Sequence, residues 1–358
     1  MKRLSLSIAI SLVFFLSTVA TCPARQMTIL VYPFENTGDR QYSWISAGMT
    51  DTIISDLARI RDISFVSNAD RKKVFEEMRF IKSGLTDDEV MIKLGKLTGA
   101  DIIFTGTYLV SGKKIRVNAR LVNVETGKID YSAKIDGTLD KIFDLQDRVV
   151  LSLLSDTERL SLPEIKSIQI KDEEKQRIIN QPRPKQKAFE LYAKGLEIKD
   201  SKPREALEYF KKAILSDKDY VDALISAGWT AGNTLNLFNE AIQYLHRADM
   251  ILKARKDTDS ETYADLMNNI GAVYYSKGDL DGALRYYKDS QRVQDRLGLQ
   301  GTAGYASLLN NIGLLYLKKG NISMAGKYFR ESYNAFVRAG YTGPERDKAL
   351  ENAKLLGY

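Results

Sequence analysis

The spacing of apolar residues in the first part of the chain predicts strands alternating with helices. Residues 27–34, MTILVYPF, form an apolar run that ends in a cluster of turn residues, which predicts a buried strand. Ser43–Arg59 has apolar residues at helical spacing, and Ile63–Val66 predicts a second strand. Further helices are predicted around Val74–Met78 and from Thr86 onward. This alternation is typical of an α/β layer with an early crossover.

After Ala100 the apolar period changes to two residues. Three strands joined by short turns are predicted at Asp101–Val110, Lys114–Val124 and Lys128–Gly137. In the middle strand apolar and polar residues alternate, so one face is expected to be buried and the other wet. A helix beginning near Ile142 closes the unit. The pattern therefore predicts an α/β domain over residues 26–155, with a mixed sheet that ends in an antiparallel meander.

The second half of the chain contains an internal repeat. Leu266–Ser290 returns as Leu308–Ser332 at a period of 42 residues. Each copy has a glycine, a turn, and then an alanine followed four residues later by an aromatic residue. Self-similarity at this period is typical of stacked helical hairpins, because no single hairpin can bury its apolar face alone.

Two less regular units precede these copies. The glycine-to-alanine spacing is 11 residues from Gly195 to Ala206 and 13 from Gly228 to Ala241, against 12 in the later copies. An all-α solenoid of four units is therefore predicted over residues 187–343. Pro344–Tyr358 is predicted to be a capping helix with a polar outer face. Residues 156–186 are charged and contain Pro163, Pro182 and Pro184, which predicts an extended linker between the two parts.

The N-terminal residues have the layout of a secretory signal. Two basic residues precede the uncharged apolar run Leu4–Ala20, and small residues follow, so 1–24 is predicted to be a signal peptide. A membrane anchor is the alternative, although the run is short for a spanning helix. Cys22 lies where a bacterial lipoprotein carries its lipid, after residues similar to a lipobox, and simple cleavage after Ala24 is the competing interpretation. A lipid on Cys22 would be the chain's one contact with a membrane.

The charge and the scarcity of certain residues exclude several functions. The net charge of +7 is dispersed without a basic stripe, so nucleic-acid binding lacks its electrostatic footprint. With one histidine, His246, and one cysteine, no zinc site can be assembled, and no cofactor or catalytic set is recognisable. We therefore expect no enzyme and no metal. Glu35, Asp39 and Asp51 are candidates for a ligand site at the sheet edge, or else turn and cap residues.

The first domain resembles the TolB-like N-terminal domain of bacterial envelope and signalling proteins. The matching phrases are VYPFENTGD at Val31–Asp39, the helix at Trp44–Ile60, the strand pair at Gly99–Ile129 and the segment IFDLQD from Ile142. Related folds in TolB and in the curli-secretion protein CsgG belong to envelope assemblies. Many relatives continue into helical repeats, and some carry a cyclase or kinase domain in front.

The repeats resemble the tetratricopeptide repeat, in the longer form found in kinesin light chain. In that family the first helices of successive hairpins line a concave groove, and an asparagine matching Asn269 and Asn311 contacts bound peptide. An amide suits this role because it both donates and accepts hydrogen bonds. Helical spacing adds further peptide-binding candidates on the same helices: Asn268, Tyr275, Asn310 and Lys318. The alternative is that the asparagines cap or bridge adjacent helices.

These resemblances together predict an exported protein of the bacterial envelope, in the periplasm or on the periplasmic face of the outer membrane. Its expected work is that of a scaffold or adaptor that binds a protein or peptide partner. The alternative is a component of an envelope secretion or transport assembly that oligomerises through its first domain.

Overall fold

The computed structural model describes residues 27–57, 60, 63–66, 87–155 and 171–358. The predicted signal peptide, Cys22 and the helix expected around residues 74–78 lie outside the described residues. Among those that are described, no helix is both long and apolar enough to cross a membrane.

The first domain is a mixed sheet with helices on both faces. Its strands are β1 (Met27–Val31), β2 (Glu35–Asn36), β3 (Ile63–Phe65), β4 (Ile102–Ser111), β5 (Lys114–Asn123) and β6 (Ile129–Thr138). Its helices are α1 (Trp44–Leu57), α2 (Asp87–Thr98) and α3 (Ile142–Ser155), with short 3-10 turns at Arg40–Tyr42 and Leu139–Lys141.

The strand order is β3-β1-β4-β5-β6, with β2 beside β4. Strand β1 is parallel to both β3 and β4, whereas β4, β5 and β6 run antiparallel to one another. The register places Gly106 opposite Ala119, and Ala119 opposite Ala133. The predicted crossover followed by an antiparallel meander is therefore present.

Each face of the sheet is covered by different helices. On one face, α1 and α3 pack against apolar residues of β4 and β5 in a core that includes Met49, Phe104, Val117 and Val149. On the other face, α2 packs with Leu94 against Ile103 and Val122 of the sheet. Strands buried on both sides read as continuous apolar runs, which explains why 27–34 has no alternation.

The repeat array consists of paired helices. Unit 1 is α5 (Gln186–Ile198) with α6 (Pro203–Ser216), and unit 2 is α7 (Val221–Trp229) with α8 (Phe238–Ala254). Unit 3 is α9 (Glu261–Lys277) with α10 (Leu280–Arg296), and unit 4 is α11 (Ala303–Lys318) with α12 (Ile322–Arg338). The pairs are antiparallel hairpins stacked in chain order, as the repeat predicts.

One glycine in the first helix of every unit admits a large side chain from the second helix. A Cβ on Gly195 would lie 2.5 Å from the Phe210 ring, and one on Gly271 would lie 2.6 Å from the Tyr287 ring. Gly228 meets Leu245 in the same way, and Gly313 meets Phe329. Each contact fixes how the two helices of one unit pack together. Because the four contacts are equivalent, any residue of one unit can be compared with its counterparts in the others.

The irregular spacing in unit 2 has a structural cause. A π-helical turn at Thr230–Thr234 follows α7. The glycine-to-alanine spacing of unit 2 is one residue longer than that of units 3 and 4, and this wider turn accommodates the extra residue. Gly232 in this turn lies against Val273 of unit 3 and Ala241 of its own unit. The wider turn thus inserts an extra residue without disturbing the stacking of the next hairpin.

The part of the expected linker that the structure describes is not simply extended. Helix α4 (Asp172–Ile179) forms there, with three acidic residues in its first turn and Ile178 fully buried. The prolines at 182 and 184 stop the helix but do not prevent one before them. Burial of Ile178 against the domain core, which the composition of the segment does not reveal, favours the helix.

The array ends in helix α13 (Pro344–Leu355), where a capping helix is predicted. Its Ala349 and Ala353 face the array and are buried. The outer face is not wholly polar, because Leu355 is 75% exposed. Tyr358 returns to α12, where its ring lies against Gly326 and its hydroxyl pairs with Ser323 at 2.8 Å.

Both ends of the array contact the first domain. At one end α1 packs along α5, and a Cβ on Gly48 would lie 2.7 Å from Ala193. At the other end the Thr342 amide donates to the Leu97 carbonyl at 3.1 Å, where α2 ends. The first domain and the repeat array therefore pack directly against each other at both ends of the array.

Candidate binding face of the repeat array

The equivalent glycines define matching positions on the first helix of each unit. The residues six, three and two positions before the glycine lie on one side of that helix, and together we call them the A-helix face. They are Phe189, Tyr192 and Ala193 in unit 1, Asp222, Ile225 and Ser226 in unit 2, Asp265, Asn268 and Asn269 in unit 3, and Ser307, Asn310 and Asn311 in unit 4.

In unit 1 the A-helix face is buried under the first domain. Phe189, Tyr192 and Ala193 are 1%, 2% and 0% exposed, whereas all their counterparts in units 2 to 4 keep some solvent contact. The Phe189 ring packs edge-on against Trp44 and Phe143, with ring centroids 6.1 and 5.0 Å away. The face thus already holds one protein element at one end.

A hydrogen bond orients this contact. The Tyr192 hydroxyl donates to the Asp51 carboxylate at 2.6 Å and accepts from the Ser226 hydroxyl at 3.5 Å. Burial, and then the charge of Asp51, raise the pKa of Tyr192 well above its usual value, so the hydroxyl keeps its proton and acts as the donor. The sequence offered Asp51 as a ligand-site candidate, but its carboxylate serves this internal contact.

A buried ion cluster ties the described end of the linker to the first domain. The Arg183 guanidinium lies between Asp56, which is fully buried, and Asp147. It donates to the two Asp56 oxygens at 3.2 and 3.3 Å, and the Gln181 amide also bonds to Asp56. Desolvation raises the pKa of Asp147 to about 6, against the opposing attraction of Arg183. One cation thus serves two carboxylates in a site largely shielded from water.

The predicted peptide-binding residues form two pairs that bridge units 3 and 4. The Asn311 amide donates to the Asn268 oxygen at 3.1 Å, and the Lys318 ammonium lies 4.6 Å from the centre of the Tyr275 ring. The bridging role that was the alternative interpretation of the asparagines therefore holds for Asn268 and Asn311. The pairing leaves the Asn268 amino group and the Asn311 oxygen available as donor and acceptor.

The other two predicted asparagines differ from this pair. Asn269 is half-exposed, and no hydrogen bond joins its side chain to another described residue. Asn310 is also half-exposed, yet its Oδ1 is shielded from solvent and has no partner among the described residues. An unpaired amide oxygen of this kind has lost its water without gaining a donor, which costs about 1–3 kcal/mol.

Two acidic residues on α9 belong to the same surface and were not selected from the sequence. Asp265 lies on the A-helix face, and Glu261 lies one helical turn before it. Asp265 is exposed and Glu261 is half-buried. Burial, and then repulsion from Asp265, raise the pKa of Glu261. Their i, i+4 spacing was the available signal, but an acidic pair near a helix start is ordinary.

The second helix of each unit carries a tyrosine and a basic residue at equivalent positions, and this pattern is visible in the sequence. Every unit has a tyrosine three residues after the alanine of its repeat pattern and a basic residue two positions further on. These pairs are Tyr209/Lys211, Tyr244/His246, Tyr286/Lys288 and Tyr328/Arg330. In units 2 and 3 the basic residue contacts the tyrosine of the next unit: His246 lies 3.2 Å from the Tyr286 hydroxyl, and Lys288 bonds to Tyr328. This explains His246 as an inter-unit contact.

The other two acidic candidates of the first domain are Asp39 and Glu35. Asp39 accepts from the Gln41 amide at 2.9 Å and so caps the 3-10 turn, while Glu35 lies on β2. Over the described ranges, no group of three or more His, Cys, Asp or Glu side chains could hold a metal ion.

Comparison with known proteins agrees with the repeat geometry. Residues 262–338, which cover most of units 3 and 4, match the tetratricopeptide repeat family. Units 3 and 4 are tetratricopeptide repeats. The match lies on the two units with regular spacing, where the packing glycines are 42 residues apart.

One curated protein is similar to part of this chain. The Rhizobium meliloti (strain 1021) protein named "Putative adenylate cyclase 3" is 26% identical over 129 residues. That match covers 36% of this chain but only 20% of the relative. The chain thus spans about a fifth of the length of that relative.

Two solved structures are similar to parts of this chain. MamA is 22% identical, with a TM-score of 0.34, over 54% of this chain and 88% of its own. A Rap protein complexed with competence and sporulation factor is 11% identical, with a TM-score of 0.43, over 61% of this chain and 67% of its own. Neither similarity bears on the function of this chain.

Proposed function

We propose that this protein is an adaptor that binds a protein or peptide partner on the A-helix face of units 3 and 4. Tetratricopeptide repeats are protein-interaction scaffolds, and an array of this kind works by presenting a continuous surface made from equivalent positions. The proposal places the partner over Asn268, Asn269, Asn310 and Asn311.

One observation carries the proposal. The same three positions that bury α1 in unit 1 are solvent-accessible in units 3 and 4, where they hold amides with unused donors and acceptors. A face that packs tightly against one element of its own chain has the shape to pack against another protein. Its amides can bond to a partner's backbone whatever side chains that partner carries.

The proposal extends to the place where the protein works. The basic and apolar N-terminal pattern and the resemblance of the first domain to TolB-like domains support export to the bacterial envelope. A lipid on Cys22 would hold the adaptor at a membrane surface. Incorporation of a palmitate analogue into the wild type but not into Cys22→Ala tests this part separately.

Replacing Asn269 with alanine is expected to abolish partner capture from solubilised envelopes without lowering the melting temperature, because its amide bonds to no other described residue. Asn311→Ala should also lose capture, but it removes the bridge to Asn268 and should cost about 1 kcal/mol of stability. Quantitative affinity capture and thermal melts measure both effects.

The matched control is Asn334→Ala, which removes an exposed amide from the second helix of unit 4. This variant should capture the partner as the wild type does. Equal capture by the wild type and Asn269→Ala would contradict the proposal that the partner binds on the A-helix face.

A further inference from the structure

The A-helix face is continuous from the part that is covered to the part that is open. Helix α1 lies on unit 1, and its contact reaches unit 2 through the hydrogen bond between Ser226 and Tyr192. Beyond this point Trp229 of unit 2 is 41% exposed, and the face continues over Asp265 and Asn269 of unit 3. A segment laid on units 2 to 4 would therefore extend an interface that the protein has already built.

The charges on the open part of the face have one sign. None of its positions in units 2 to 4 holds lysine or arginine, whereas Asp222 and Asp265 are acidic and Glu261 stands one turn from Asp265. The nearby Lys318 lies at the far end of α11, held over the Tyr275 ring. Asp51 of α1 adds another carboxylate at the covered end.

The acidic pair on α9 lacks an internal counter-charge. Neither Glu261 nor Asp265 forms an ion pair with any described residue. Glu261 gains from the helix N-terminus, which favours negative charge in the first turn, but Asp265 lies beyond that turn. Two carboxylates one helical turn apart repel each other, and a cation placed between them would relieve this repulsion.

We propose that the open A-helix face over units 2 to 4 takes a lysine- or arginine-bearing segment of a partner protein, with a basic side chain between Glu261 and Asp265. The inference rests on the proposed adaptor function and names the chemistry of its partner. The asparagines hold the segment in place, and the carboxylates select its charge.

A labelled peptide of alternating alanine and lysine, with an alanine–glutamate peptide as its counterpart, tests the inference by fluorescence anisotropy. We expect the full-length protein to bind the lysine peptide in preference, with affinity that falls as salt rises. The Glu261→Gln/Asp265→Asn variant should bind it about tenfold more weakly, since close charge pairs contribute this much at interfaces. Both substitutions keep side-chain size, so the fold should persist.

The matched control is Glu331→Gln, which removes a carboxylate from the second helix of unit 4 and should leave binding unchanged. Equal affinity of the wild type and the Glu261→Gln/Asp265→Asn variant for the lysine peptide would overturn the inference. Self-association of the wild type that this variant abolishes would also overturn it, because the occupant would then be a second copy.

The partner captured from envelopes separates this inference from the adaptor proposal. Loss of capture in Asn269→Ala with undiminished capture in Glu261→Gln/Asp265→Asn would contradict the charge preference alone. Undiminished capture in both variants would contradict the adaptor proposal itself.

Discussion

Arg183→Ala is expected to destabilise the protein by about 3–5 kcal/mol, because it leaves the buried carboxylates of Asp56 and Asp147 without their shared cation. The loss should fall on the junction between the linker and the first domain, where the guanidinium also lies 5.7 Å from the Phe143 ring. Denaturant unfolding followed by circular dichroism measures the change in the free energy of unfolding.

The loss of stability in Arg183→Ala should become smaller as the pH falls. The pKa of Asp147 is about 6 in the folded protein and lies near 4 in an unfolded chain. A carboxyl with a raised folded pKa binds its proton more tightly in the native state, so its contribution to stability rises as the pH falls through 6. Arg183 lowers this pKa by attraction, so in the variant Asp147 should bind its proton more tightly still, and the variant should recover part of its loss at pH 5.

Two further variants make this prediction specific. Arg183→Ala/Asp147→Asn should be more stable than Arg183→Ala at pH 8, because one uncompensated charge is gone. Arg292→Ala removes an exposed arginine paired with Asp289 on α10 and should cost less than about 1 kcal/mol. A cost for Arg183→Ala no larger than that of Arg292→Ala would show that the cluster does not hold the junction.

Gly313→Ala is expected to destabilise the protein by about 1–3 kcal/mol, because the new methyl group would lie 2.8 Å from the buried Phe329 ring. The two helices of unit 4 would have to separate, and unit 3 would lose part of the surface on which it stacks. Thermal melts and urea unfolding measure the loss.

The same helix supplies the control. Gly304 lies in the first turn of α11, where an added Cβ meets nothing closer than 3.9 Å. Gly304→Ala should therefore stabilise the protein slightly, by up to about 1 kcal/mol, since alanine is the better helix former. Similar changes in stability for the two variants would mean that close packing at Gly313 does not determine how the two helices of unit 4 pack.

The sequence predicts most of the fold because the relevant signals are local. Alternation of apolar and polar residues locates β5, and the 42-residue recurrence of Gly271 as Gly313 locates the hairpins of units 3 and 4. The spacing of 13 residues in unit 2 marked an irregularity, but only backbone geometry shows that a π-helical turn contains it.

The site was less accessible to sequence reasoning because its decisive contacts join distant segments. Nothing near Gly48 in the sequence shows that it lies against Ala193, and nothing near Arg183 shows that it sits between two carboxylates. The asparagines were selected through a family resemblance, and the bond between Asn268 and Asn311 became visible only when α9 and α11 were side by side.

The most direct test of the adaptor account is photo-crosslinking from the A-helix side of unit 3. A photoreactive amino acid in place of Ala272, one turn after Asn269 on α9, should crosslink the partner in envelopes. The same probe in place of Arg285, exposed on the second helix of the unit, should not. Crosslinking from Arg285 and none from Ala272 would contradict the account, because the partner would then bind the opposite helix layer.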